Sequence, residues 1–188
     1  MTNNRFHFGI GVSPWYEDFL ATGERWEKRG KRMDEQITIL RGLMGGDYFG
    51  FKGDFYDIPD LKLCPVPSQP VPILIGGHSK LALKRAAKLG DGWISAGITL
   101  EETKDFINQI NSYREEFGTL DHPNYQFQVM GEAAYSPDGV KALEDLGATE
   151  VIVAFRNAYE GGPDERTLDS MKAEISWYAE EVINKFRS

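Results

Sequence analysis

A single cysteine, Cys64, stands in the 188 residues, so no internal disulfide can form, and this usage agrees with a reducing compartment. Histidine is nearly as scarce: His7, His78 and His122 are scattered without zinc-ligand spacing, and the sequence implies no metal site. Long apolar runs are missing too. Stretches such as Val151 to Phe155 fall far short of the roughly 20 residues that a bilayer span requires, so no membrane partner is expected. The first residues carry no basic segment followed by an apolar one and a small-residue cleavage site, and the expected location is cytoplasmic. Excess positive charge is the last absence. A net charge of -8 repels the phosphate backbone that dominates nucleic-acid affinity, which argues against DNA or RNA as a partner. The most basic stretch, Arg25 to Arg32, is flanked and interleaved by Glu24, Glu27, Asp34 and Glu35 at helical spacing and reads as a solvated helix face.

What is present fits one globular domain over 1–188: 41% hydrophobic and 27% charged residues are enough for a core with a wet surface. Phe6 to Val12 is short, aromatic and branched, and runs into Ser13-Pro14, as a strand entering a loop does. From about Asp18 to Met44, Trp26, Met33, Ile37, Leu40 and Leu43 recur at intervals of three, four and seven, which predicts an amphipathic helix, with Gly30 as a point of interruption and Gly45-Gly46 ending it. Residues 47–71 break this rhythm. Tyr48 to Tyr56 fits a small hairpin around Lys52-Gly53, and the prolines 59, 65, 67 and 70 then exclude a long helix or central strand, so the segment reads as an ordered surface excursion.

Alternation follows. Strand Ile73-Leu74-Ile75 leads through Gly76-Gly77 to a helix from Lys80 to Leu89 with Ser79 as N-cap, then to strand Gly92 to Ser95. Thr99 and Glu102 form a capping box for a helix that carries Phe106, Ile110, Tyr113 and Phe117 on one face. Tyr125, Phe127 and Val129 alternate as a strand, a helix spans 137–146, Val151 to Phe155 forms the next strand, and Leu168, Met171, Ile175, Tyr178, Val182 and Phe186 mark a terminal helix. Five strands, each followed by a helix, predict an α/β fold with a parallel sheet, doubly wound or barrel.

Four segments in order resemble one family: Phe8-Gly9-Ile10-Gly11-Val12, Arg29 to Glu35, Pro72 to Gly77, and Ala86 to Trp93, joined by the Phe51 to Tyr56 element and the Pro65-x-Pro67-x-Gln69-Pro70 run. Together they are similar to the luciferase-like monooxygenases. The resemblance implies a TIM (β/α)8 barrel that binds FMN or the deazaflavin coenzyme F420 at the C-terminal ends of its strands. It places Phe6 to Val12 as the fourth strand, so the chain is expected to be an incomplete barrel lacking the first three β/α units; barrels of this type run to about 250 residues. Open edges then imply a homo-oligomer, or a partner that covers them. The implied activity is hydride transfer with F420 or flavin-dependent monooxygenation of a small organic substrate. The alternative is a non-catalytic remnant that binds a flavin or a protein.

The Gly76-Gly77 turn lets backbone N–H groups approach an anion before a helix N-terminus, and the resemblance puts the cofactor's phosphate end there, with His78 and Ser79 beside it. Ser95, Ala96 and Gly97 are the second expected site. Gly11 and Ser13, after the first strand, leave room for a planar ring, and Gly9-Ile10-Gly11 is not a dinucleotide fingerprint because its third glycine is missing. Two departures from the family pattern matter. Some F420-dependent relatives carry a glutamate after the fourth strand, where this chain has Ser13-Pro14-Trp15 with Glu17 and Asp18 nearby; FMN-dependent relatives commonly have Arg-Tyr where this chain has Arg32-Met33. The second departure favours F420. No catalytic residue is assigned, and Met33 is expected in the core.

Overall fold

The computed structural model describes residues 3–156 and 162–186, and the chain divides into two compact units, Met1–Trp93 with Ile110–Tyr125 and Ile94–Gln109 with Gln126–Ser188. In the first unit the strands β1 (Phe8–Ile10), β4 (Ile73–Gly76) and β5 (Gly92–Ile94, whose last residue belongs to the second unit) lie side by side in that order. β1 and β4 are parallel, with Phe8 opposite Ile73 and Ile10 opposite Ile75. β4 reads Ile-Leu-Ile without alternation because both of its faces are covered: Ile73, Leu74 and Ile75 are all fully buried. Helix α3 (Lys80–Leu89) closes on it through Ala82, Leu83, Ala86 and Ala87, whose small side chains permit a close approach. Trp93 is wholly buried, and a side chain of that class contributes about 1.5–3 kcal/mol.

The long helix expected from Asp18 to Met44 is two helices, α1 (Tyr16–Thr22) and α2 (Arg29–Met44). The break comes at Gly23, whose left-handed φ of 69° caps α1, and at Lys28, also left-handed at 58°; Gly30 lies inside α2. The basic run therefore crosses a loop, where Arg32 donates to the Arg25 carbonyl and pairs with Glu24. Met33 is buried, as its spacing predicts. The excursion contains an antiparallel hairpin, β2 (Phe49–Lys52) and β3 (Asp57–Leu61), whose second strand lies beyond the expected 48–56 and carries Pro59. It is fastened to α2 by Glu35, whose carboxylate accepts the N–H groups of Asp54, Phe55 and Tyr56 at 2.7, 3.0 and 3.1 Å. Arg41 of α2 donates to the Leu89 carbonyl and to Asp91, which in turn accepts the Ile73 N–H at the start of β4.

In the second unit β6 (Gln126–Met130) and β7 (Glu150–Ile152) are parallel neighbours, with Val129 opposite Val151. Helix α4 (Leu100–Phe117) begins here with the expected capping box: Glu102 accepts the Thr99 N–H at 2.9 Å and Thr99 Oγ1 accepts the Glu102 N–H at 3.2 Å. Its buried stripe is Thr103, Ile107, Ile110 and Arg114, whereas Phe106, Tyr113 and Phe117 stay half-buried, so the expected face is offset. Arg114 can be buried because its guanidinium lies 4.0 Å over the Tyr125 ring and donates to the Thr119 and Leu120 carbonyls past the helix end. Helix α5 (Pro137–Asp145) takes Ser136 as N-cap, and α6 (Leu168–Glu181) packs Tyr178 against Tyr135 and Phe155, its hydroxyl donating to the Ala134 carbonyl. Leu168 and Ile175 of the α6 stripe are exposed.

Candidate functional site

The turn after β4 is built around one glycine. Gly77 has φ 118°, in the region that L side chains rarely adopt, and a Cβ there would meet the Ala82 Cβ at 2.9 Å. The Trp93 indole N–H donates to the Gly77 carbonyl at 3.0 Å. Because the peptide between Gly77 and His78 is planar and trans, that bond also fixes the His78 N–H pointing the opposite way. The His78 ring lies 6.0 Å from Trp93. Ser79 caps α3, its Oγ accepting the Ala82 N–H at 3.2 Å, which leaves the hydroxyl proton to donate elsewhere. Gly77 and Ser79 are exposed, and no acidic residue occupies the first turn of α3 to oppose an anion at its N-terminus.

Gly11 is brought to this turn: a Cβ on it would lie 3.9 Å from the Gly76 carbonyl, an ordinary contact that leaves the space beside it open. Ser13 is on the same wall, but its hydroxyl is engaged locally, donating to Asp18 and accepting the Trp15 N–H at 3.1 Å. A cavity of about 620 Å³ lies on the other side of Gly11 and Ser13, lined also by Phe8, Phe19, Met33 and Tyr56 and by no residue of the 76–79 turn. The volume is within the range of small-molecule sites.

Within the second unit, the turn after β5 has a different construction. Ser95 is buried, its Oγ accepting the Met130 N–H at 2.8 Å while its own N–H donates to the Gln128 carbonyl at 2.9 Å. Ile98 N–H donates to the Met130 carbonyl at 3.0 Å, so the loop is sewn to β6 at both ends; Ala96 and Gly97 between them are exposed. The Ser95 hydroxyl, expected at a phosphate, is bonded to the backbone of the next strand.

The sequence reading did not single out one charged group, placed after β7. Arg166 donates to the Phe155 carbonyl, to Asp164 and to Glu174, and the bonds of its side chain and backbone N–H to Asp164 hold that carboxyl well below the usual carboxylate range. An arginine and an acid two residues apart in a loop carry no periodic signal, so nothing in the sequence marked them.

The fold is that of an α/β protein with parallel strands and an exposed glycine turn between β4 and α3. The model of the luciferase-like monooxygenase family matches residues 1–181, and the chain belongs to that family. An uncharacterized protein of Mycobacterium tuberculosis is 45% identical over 185 residues, which cover 98% of this chain and 63% of that protein. The chain thus spans less than two thirds of the length of that relative. The F420-dependent glucose-6-phosphate dehydrogenase of Amycolatopsis mediterranei is 33% identical over 77% of this chain and 45% of its own. The FMNH2-dependent dimethylsulfone monooxygenase of Pseudomonas fluorescens is 35% identical over 60% of this chain and 32% of its own. The fold is shared with the coenzyme F420-dependent tetrahydromethanopterin reductase of Methanopyrus kandleri, with a TM-score of 0.71 at 13% identity over 96% of this chain and 74% of that one.

Proposed function

We propose that this chain holds the anionic end of a deazaflavin or flavin cofactor in an oxidoreductase acting on a small organic substrate, with F420 as the first reading. One observation carries the proposal: the Gly76–Ser79 turn, which combines a positive-φ glycine, a carbonyl held by Trp93, a capping hydroxyl with a proton to give and an acid-free helix start. The donor set suits a phosphate, since every group offered is an N–H or O–H. When bound, the cofactor would supply hydride or electron chemistry; the chain's own residues bind and orient it. Gly11 and the space beside it would leave room for the ring. The F420-dependent relative matched over 77% of the chain, against 60% for the FMNH2-dependent one, supports the first reading, as does Met33 in place of the tyrosine expected in the FMN branch.

In this reading the five strands correspond to the last five of a (β/α)8 barrel, and Ser95, Ala96 and Gly97 are a second candidate segment for the cofactor. The β1 edge, flanked by exposed Phe6, Trp15, Tyr16 and Leu20, would be covered by a second copy. Light scattering at micromolar protein is expected to show more than one chain, and a stable monomer would refute this. For the cofactor, the purified chain is mixed with F420 or with FMN and desalted. Retention of F420 is expected, and Gly77→Val is expected to weaken it about tenfold or more with the helical CD signal kept. Retention of neither cofactor by a folded chain would favour a protein-interaction role instead.

A further inference from the structure

A groove of about 760 Å³ runs between α2 and α3 on the first unit. Six of its lining side chains are cationic, Lys28, Arg29, Lys31, Lys84, Arg85 and Lys88, and two are acidic, Asp34 and Glu35, in a chain whose net charge is -8. Both acids are engaged inside the fold. Asp34 pairs with Arg85, and Glu35 is wrapped by the three hairpin N–H groups. Arg29 stacks over Trp26 at 3.5 Å, and Lys84 pairs with Glu116 at 3.5 Å. Among the described residues no ion pair involves Lys28, Lys31 or Lys88, and all three are exposed. The groove therefore concentrates uncompensated positive charge on a negative molecule.

Its walls are not only charged. Leu81 stands 73% exposed on the same α3 stripe as Lys84, Arg85 and Lys88, and Phe117 lies beneath the ammonium groups of Lys84 and Lys88, each 5.7 Å from its ring. Lys84 and Lys88 are one helical turn apart, a rise of about 6 Å. Side chains on one face of an extended peptide repeat at about 7 Å, close enough for alternate carboxylates to meet successive lysines.

We propose that this groove docks an extended acidic segment of a partner protein, with carboxylates at alternate positions and apolar residues between them. A long nucleic acid would be opposed by the rest of the molecule's charge. Inorganic phosphate would gain nothing from Leu81, whereas an acidic-apolar peptide uses both kinds of wall. Ser79 is among the groove's lining residues, but the proposal rests on the lysines and Leu81, none of which belongs to the Gly76–Ser79 turn.

The test is fluorescence anisotropy of the full chain with a labelled peptide of alternating glutamate and leucine, against a peptide of the same composition in two blocks. The alternating peptide is expected to bind saturably and more tightly. Lys28→Glu/Lys31→Glu/Lys88→Glu should weaken it about tenfold or more, and Leu81→Ser about threefold, with the far-UV CD and F420 retention of both variants unchanged. Tripolyphosphate should compete poorly. No saturable binding, equal binding by the triple variant or the blocked peptide, or displacement by tripolyphosphate at equal charge would each overturn the proposal.

Discussion

The turns that follow β4 and β5 begin alike in sequence, small residues and a hydroxyl after an apolar strand, yet their polar groups face different duties. Ser79 is exposed and caps its own helix, keeping a proton to donate, while Ser95 is buried and bonded to the backbone of Met130. The difference lies in what stands next to each turn. Beside the first is a tryptophan that grips one carbonyl; beside the second is a whole strand that comes close enough to take up the hydroxyl. A hydroxyl at the end of a parallel strand is thus a candidate ligand only where the neighbouring strand leaves it alone.

Three substitutions probe this contrast, and a fourth tests the ion pair after β7. Gly131→Ala should have the largest effect: its backbone is extended, so conformation is no obstacle, but the new Cβ would come 2.1 Å from the Ile98 carbonyl oxygen. Backbone overpacking of that kind should cost about 3 kcal/mol or more, read as a lowered urea midpoint. Little change would mean that the β5 loop is not pressed against β6. Ser95→Ala should cost about 1–3 kcal/mol by leaving the buried Met130 N–H unsatisfied, with cofactor affinity intact. A loss of affinity at full stability would reverse the roles assigned to the two turns. Ser79→Ala should cost about 1 kcal/mol as a lost N-cap and also weaken cofactor binding severalfold, an effect on both readouts that Ser95 lacks. Asp164→Asn should act least. The arginine holds this carboxyl below its unfolded value, so the pair stabilises the fold above the ordinary carboxylate range and loses that contribution as the pH falls from that range through the depressed folded value. The variant should flatten the acid limb of thermal stability and leave the neutral limb slightly lower; an unchanged acid limb would show the pair to be inert.

Much of the fold was legible because periodicity and caps act locally. Helix α3 has the predicted bounds, from Lys80 to Leu89 behind Ser79, and the Thr99–Glu102 box is in place. The break between α1 and α2, expected at Gly30, falls earlier, between Thr22 and Arg29, where Trp26 keeps the helical spacing while packing edge-on against Tyr16 and Phe19 from a loop. The offset of α4 has a similar origin: burial of Arg114 depends on Tyr125, eleven residues on, and no periodic rule sees that pairing. For the candidate site, the positive φ at Gly77 follows from the strand-glycine-helix pattern, but the Trp93 bond that orients the turn, the capture of Ser95 by Met130 and the local engagement of Ser13 by Asp18 are tertiary facts.

The most direct measurement is a titration of the isotopically labelled chain with F420, and separately with FMN, followed through backbone amide resonances. The Gly77, His78 and Ser79 amides are expected to shift first and most with F420, while Met130, locked to Ser95, scarcely moves. Shifts centred on Met130 and Ser95, or none at the 77–79 amides while cofactor binds, would contradict this.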